Sequence, residues 1–168
     1  MTTLSTWAFD TPEGAQAALR TVERLQWRRS IVVQDASVVA WPAGSRRPES
    51  WQVGDVAGSA ALSGAFWGLL FGLLFLLPLS GPEPGGEPDA AARLSRIGLP
   101  DPFLQQVRAL VVPGTSALFL LLPDAVVDRV AESLAGDGAT ELSTRLTPDQ
   151  DASLRRGFDA AGPGDAPR

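Results

Sequence analysis

The fold is decided by ALFLLLPDAVVDRVAESL, residues 117–134, in which a strand is followed by Pro123, Asp124 and a helix. Residues 117–122 form an apolar run of strand length, and a proline with an acid is typical of the first turn of a helix. The predicted helix has one apolar face, formed by Val126, Val127, Val130, Ala131 and Leu134. Gly136 and Gly138 end this helix, and residues 140–146 alternate as a second strand. This half of the chain is therefore predicted to be a βαβ unit.

The first half of the chain repeats this order. Residues 4–9 predict a strand, and Asp10 with Pro12 predicts a helix whose first position is the proline. The helix has an apolar stripe formed by Ala15, Ala18, Leu19, Val22 and Leu25. Residues 31–41 then predict one long or bent strand, and a returning strand is expected near residues 51–53.

Two βαβ units in one small chain most simply share a single sheet. We therefore expect an α+β fold, a ferredoxin-like sandwich of two βαβ units with an inserted apolar glycine-zipper helix, in one domain spanning residues 1–161. Thr147 and Pro148 predict the start of a last helix, with Leu154 and Phe158 facing inward. Residues 162–168 are expected to be a disordered tail.

The composition excludes most enzyme mechanisms. All 14 basic residues are arginines, and the chain contains no Cys, His, Lys or Tyr. Nucleophilic triads and Schiff bases need His or Lys, redox chemistry needs Cys, and transition-metal sites usually need His or Cys. The net charge of -5 and the pI near 4.7 argue against a general nucleic-acid binder. We therefore expect no enzymatic activity, no cofactor and no nucleic-acid partner.

A charge-free apolar helix is predicted between the two units, at about residues 56–79. Residues 62–79 are almost continuously apolar, and a run of this length can cross a bilayer. Small residues spaced by four share one helix face, where another helix can approach closely, and aromatic residues form a ridge beside them. The candidate residues for oligomer or membrane contact are Ala60, Gly64, Trp67, Gly68, Phe71, Gly72 and Phe75.

Three arrangements of this helix stay open. It could form a lone membrane span, be buried in a homo-oligomer or partly inserted into a membrane, or belong to the chain's own core. A lone complete span would place the two βαβ units on opposite sides of the bilayer, where they could not share a sheet. Arginines and acids flank the run on both sides, so the positive-inside rule gives no orientation. Residues 80–88 predict a flexible loop, and residues 103–110 predict a short amphipathic helix.

Other candidate sites have simpler interpretations. The possible cation ligands are Asp137, Glu141, Asp149 and Asp151, but acids near helix starts are more typically there to complement the helix dipole. The glycine-containing stretches at 114–116 and 136–138 resemble phosphate loops only superficially. No Lys follows either of them, so no phosphate loop is predicted. The tryptophans are interpreted as core and interface packing residues and not as a ligand cage, namely Trp7, Trp27, Trp41, Trp51 and Trp67, of which Trp67 also fits an interfacial membrane anchor. No metal site is expected.

The stretch GAFWGLLFG, residues 64–72, together with GLPD at 98–101 and PGTSALF at 113–119, resembles an uncharacterised bacterial family. Its members are described as predicted membrane proteins with a domain of unknown function of the DUF1269 type, and the resemblance covers nearly the whole chain. The family implies no established reaction and no catalytic residues. Its members usually continue with a second small-residue apolar helix, where this chain has the Pro, Gly and Glu residues of 80–88.

Two classes of function follow from these expectations. The first is a non-enzymatic, self-assembling or membrane-associated protein that forms homo-oligomers through the glycine-spaced helix or contacts a lipid bilayer. The alternative is a regulatory small-ligand-binding module, because paired βαβ sandwiches often hold small ligands. The N-terminal residues carry no secretory signal, so the expected location is the cytoplasm, either free or at the inner face of the cytoplasmic membrane.

Overall fold

The computed structural model describes residues 2–52, 70–71 and 99–152. These residues form a mixed α+β structure with a five-stranded antiparallel sheet. The strands are β1 Thr2–Phe9, β2 Asp35–Trp41, β3 Glu49–Gln52, β4 Thr115–Pro123 and β5 Thr140–Leu146. The helices are α1 Gly14–Trp27, α2 Asp101–Leu110 and α3 Val127–Leu134, with 3-10 turns at Asp124–Val126 and Ala135–Asp137.

The two βαβ units interleave in one sheet, whose strand order is β3-β2-β4-β1-β5. β4 lies between β1 and β2, the two strands that flank α1, and β1 lies between β4 and β5, the two strands that flank α3. The expectation that both units share a sheet is therefore confirmed. Each unit supplies a central strand to the other, so neither can form its own sheet without the other.

Both faces of the sheet are covered by helices. On β4, Leu118, Leu120 and Leu122 pack with the apolar stripes of α1 and α3. The alternate residues Phe119 and Leu121 pack with α2 on the opposite face. β4 is consequently buried on both faces, which explains why its sequence is continuously apolar and does not alternate.

The predicted elements of the first half are present with shifted boundaries. Pro12 lies in a turn, and α1 begins only at Gly14, whose N–H donates to the carbonyl oxygen of Thr11 at 3.3 Å. The prediction of a strand from residue 31 is wrong, because β2 begins at Asp35. Ile31 and Val33 are nevertheless buried in the cluster between the sheet and α1, so their apolar character reflects burial and not strand pairing.

The elements predicted after β4 are also present, although the first turn after Pro123 is a 3-10 helix and α3 is only eight residues long. A further helix begins at Pro148, as predicted. Thr147 and Gln150 cap it reciprocally: the Gln150 N–H donates to Thr147 Oγ1 at 3.2 Å, and the Thr147 N–H donates to Gln150 Oε1 at 2.8 Å. The remaining expectations lie outside the described residues, namely Leu154, Phe158, the loop at 80–88, the tail at 162–168 and all of the segment at 56–79 except residues 70 and 71.

Candidate functional site

The apolar segment contacts the sheet at the two residues of it that the structure describes. Leu70 and Phe71 are helical and buried, with exposed fractions of 1% and 6%. The Phe71 ring packs edge-on against Phe119 of β4, with ring centroids 5.0 Å apart and ring planes at 60°. Phe103 and Val107 of α2 belong to the same apolar cluster. At this point the segment is part of the chain's own core.

Phe71 is the one residue among the predicted oligomer or membrane contacts that the structure describes. Its ring surface is occupied by the core contact with Phe119, and its contact with a second copy or a bilayer stays a prediction. The other predicted contacts lie outside the described residues, namely Ala60, Gly64, Trp67, Gly68, Gly72 and Phe75. The glycine row therefore also stays a prediction from sequence.

The sheet requires the two ends of the apolar segment to lie on the same side of any membrane. β1 and β2 precede the segment in the chain, β4 follows it, and β4 pairs with both of them. Strands of one sheet lie on the same side of a bilayer, because open sheet edges do not occur in lipid. A lone complete crossing by residues 62–79 is therefore incompatible with this sheet. Among residues 2–52, 70–71 and 99–152, no helix is long and apolar enough to span a membrane.

The candidate cation ligands do not converge. In the part of the chain that the structure describes, no three His, Cys, Asp or Glu side chains are placed to hold a metal ion. Partial burial, and secondarily the charge of Asp128, raises the pKa of the Glu141 carboxyl. Asp124 accepts a hydrogen bond from Thr3 Oγ1 at 2.6 Å and forms an ion pair with Arg145, with Oδ2 and Nε 3.3 Å apart. Asp124 thus connects β1 and β5 to the turn that follows β4.

An exposed tryptophan lies at the C-terminal end of α1. Trp27 is 87% exposed, so the expectation of core packing is wrong for Trp27, whereas Trp7 is buried as expected. Packing of Trp27 at an interface with another molecule stays a prediction. The helical spacing of Trp27 indicates that it is exposed. Trp27 follows Arg24 by three positions and Arg20 by seven, which places it on their outward face of α1 and not on the buried stripe.

Two arginines share a surface concavity with Trp27. Arg20, Arg24 and Trp27 line a shallow surface concavity together with Ala17 and Glu23. A further guanidinium comes from α3, where Arg129 Nη1 donates to the Ser30 carbonyl oxygen at 2.6 Å. We call this region the arginine-tryptophan surface; its residues are Arg20, Arg24, Trp27, Arg28, Arg29 and Arg129. Within the described residues, none of these arginines forms an ion pair.

The turn that ends α1 places an arginine where glycine is usual. The Ser30 N–H donates to the Leu25 carbonyl oxygen and the Arg29 N–H donates to that of Gln26, both at 2.9 Å, which is a Schellman motif. Arg29 has a φ of 56°, in the left-handed region. This conformation costs a residue with a side chain about 1–2 kcal/mol. The chain thus carries a cation at this position at the expense of stability.

Comparison with known proteins identifies a family but no activity. The model of a family described as "Protein of unknown function (DUF1269)" matches residues 61–159, more than half of the 168 residues. The match extends over the apolar segment from residue 61 onward and over α2, β4, α3 and β5. It confirms the resemblance to a domain of unknown function, and it does not bear on the membrane and bacterial parts of that resemblance. No curated protein and no solved structure matches the chain significantly.

Proposed function

The chain belongs to the DUF1269 family of proteins of unknown function, and on this premise we propose that it is a non-enzymatic, self-assembling protein held at the inner face of the cytoplasmic membrane. In this proposal the scaffold is a ferredoxin-like sandwich, which the interleaving of β1 between β4 and β5 supports. The inserted segment is a glycine-zipper helix that contacts other copies of the chain. The arginine-tryptophan surface is the contact with lipid headgroups.

The observation that carries the membrane contact is the combination of an exposed Trp27 with a left-handed Arg29. Tryptophan favours the membrane interface, and each basic residue near an anionic leaflet contributes about 1 kcal/mol of attraction. Arg24 alone would be explained by its interaction with the C-terminal end of the α1 dipole. That interaction does not explain an arginine in a strained turn beside an exposed indole, in a chain whose net charge is -5.

Vesicle binding by the full chain tests the membrane contact. The Arg29→Gly variant should gain about 1 kcal/mol in the free energy of unfolding, because glycine adopts the left-handed turn without strain. The same variant should bind phosphatidylglycerol-containing vesicles about fivefold more weakly, because one cation is lost. Trp27→Ala should also weaken binding. Cosedimentation and urea unfolding measure the two effects.

Arg47→Gly is the matched control, because it removes an equal charge from the exposed loop between β2 and β3 and should leave vesicle binding unchanged. Equal binding to vesicles of phosphatidylcholine alone, or tighter binding to duplex DNA than to anionic vesicles, would contradict the membrane proposal. Thermal stabilisation by a small metabolite, without vesicle binding, would favour the regulatory ligand-binding module instead.

Self-assembly is supported by the four-residue spacing of Gly64, Gly68 and Gly72, which lets helix backbones approach closely. Replacing Gly68 or Gly72 with Leu should therefore lower the particle mass measured by light scattering and leave the circular dichroism of the scaffold unchanged. Gly136→Leu is the control, because Gly136 lies in an exposed turn where a Cβ would meet no atom within 4 Å. An unchanged mass in both zipper variants would exclude the role of the glycine row.

A further inference from the structure

β5 forms one edge of the sheet. Among the strands that the structure describes, β5 pairs with β1 alone. Glu141, Ser143 and Arg145 alternate along it and are exposed, whereas Leu142 and Thr144 between them are half-buried. An edge strand presents a row of N–H and C=O groups that can pair with another strand. Within residues 2–52, 70–71 and 99–152, no strand pairs with the outer edge of β5, so this edge is a candidate for strand addition.

The sequence of β5 is complementary to itself. Glu141 and Arg145 lie at equal distances on the two sides of Ser143. If two copies of β5 pair antiparallel about a two-fold axis at Ser143, each Glu141 faces Arg145 of the other copy. In the same register Leu142 faces Thr144 of the other copy. Opposite charges directly across an antiparallel pair stabilise it, and a two-fold axis forms every such contact twice.

The other edge of the sheet lacks this complementarity. β3 has only four residues, Glu49–Gln52. Pairing of two copies of β3 about its centre would place Glu49 opposite Gln52 and Ser50 opposite Trp51, with no opposite charges facing each other. Charge and length together favour β5 as the edge at which a second copy binds.

We propose that β5 binds β5 of a second copy of this chain, centred on Ser143 and joined by two ion pairs between Glu141 and Arg145, so that one sheet continues through both copies. This interface rests on the proposed self-assembly and gives it a surface other than the glycine row.

The charges around β5 support this interface. Among the described residues, Glu141 forms no ion pair, and its charged neighbour is the acidic Asp128 on α3. Partial burial of this exposed side chain, together with Asp128, raises the pKa of the Glu141 carboxyl, and a guanidinium from a second copy would oppose that rise. The Arg145 side chain is 70% exposed while it contacts Asp124, and its fork of five N–H donors can bind a second carboxylate.

Charge reversal in the full chain tests the interface. Glu141→Arg alone would place two arginines opposite each other, and Arg145→Glu alone would place two glutamates opposite each other. Each variant alone should dissociate at least about tenfold more readily than the wild type in sedimentation velocity without detergent. An equimolar mixture of the two variants should regain the wild-type mass, because every facing pair then has opposite charges. Glu49→Arg, on the opposite edge strand, should keep the wild-type mass.

The mixture separates an interface effect from misfolding, because two misfolded chains would not restore each other. The inference is overturned if either single variant keeps the wild-type mass or if the mixture fails to regain it. If only Gly68→Leu and Gly72→Leu lower the mass, the glycine-row part of the proposed function stands and the β5 interface is rejected. If only the charge variants lower the mass, the β5 interface stands and the glycine row is rejected.

Discussion

At the scale of single residues, one glycine is required by close packing. Gly14 is the first residue of α1, and a Cβ built on it would lie 2.5 Å from Phe9 Cβ and 2.8 Å from Phe9 Cγ. Phe9 is the last residue of β1 and is buried between the sheet and α1. Its ring cannot withdraw without leaving that cluster. The absence of a side chain at Gly14 therefore sets how closely α1 approaches the end of β1.

Gly14→Ala should lower the free energy of unfolding by about 1–3 kcal/mol, because the new methyl group forces Phe9 or the helix start to move. Gly136→Ala is the matched control, since a Cβ there would meet no atom within 4 Å. Urea unfolding of both variants measures the difference. Equal midpoints for the two variants would mean that the turn before α1 relaxes freely.

At the scale of the elements, Ser116 of β4 takes the place of a local cap for α1. The residue before α1 makes no side-chain cap hydrogen bond. Instead, the buried Ser116 Oγ accepts from the Ala15 N–H at 2.9 Å and donates to the Thr11 carbonyl oxygen at 2.7 Å. The start of α1 is thus held by a strand about a hundred residues further along the chain.

Ser116→Ala should destabilise the protein by about 1–3 kcal/mol, because a buried N–H and a carbonyl oxygen lose their partner. Ser133→Ala is the control: Ser133 Oγ donates only to the carbonyl of Arg129 on its own helix, and the change should stay within about 0.5 kcal/mol. Chemical denaturation followed by tryptophan fluorescence measures both. Similar losses in the two variants would argue against the long-range cap.

Sequence patterns identified the elements whose signals are local. The sequence predicts the apolar stripes of α1 and α3, the alternation of β5 and the glycine that ends α3. These features depend only on residue spacing and local backbone chemistry. Residues 31–33 were wrongly predicted as strand because periodicity does not distinguish a buried connection from a paired strand. The strand order, the Ser116 cap and the left-handed Arg29 depend on contacts between distant residues, so the sequence alone did not predict them.

The candidate site was predicted in part. The glycine spacing predicted an oligomer or membrane contact in the apolar segment. It did not predict that Leu70 and Phe71 lie in the chain's own core. The number of tryptophans did not indicate which of them would be exposed: Trp27 is exposed and Trp7 is buried. The spacing of Trp27 from Arg20 and Arg24 indicates an outward helix face that is shared by an aromatic ring and cations.

At the scale of the whole molecule, the sheet separates two helical layers with different origins. α1 and α3, one from each βαβ unit, cover one face. The opposite face is covered by α2 and by Leu70 and Phe71. All of these residues belong to the connection between β3 and β4, which links the two units. The connection thus supplies part of the hydrophobic core, and this explains how β4 can be apolar on both sides.

The pairing of β1 with β4 also sets an order of events during synthesis. Thr2 lies opposite Pro123 and Phe9 opposite Ser116, so the centre of the sheet can close only after the ribosome has translated β4. The apolar segment is translated earlier and leaves the ribosome while β1 still lacks its partner. A nascent chain therefore presents its most hydrophobic stretch to chaperones and membranes before its own scaffold exists to receive Phe71.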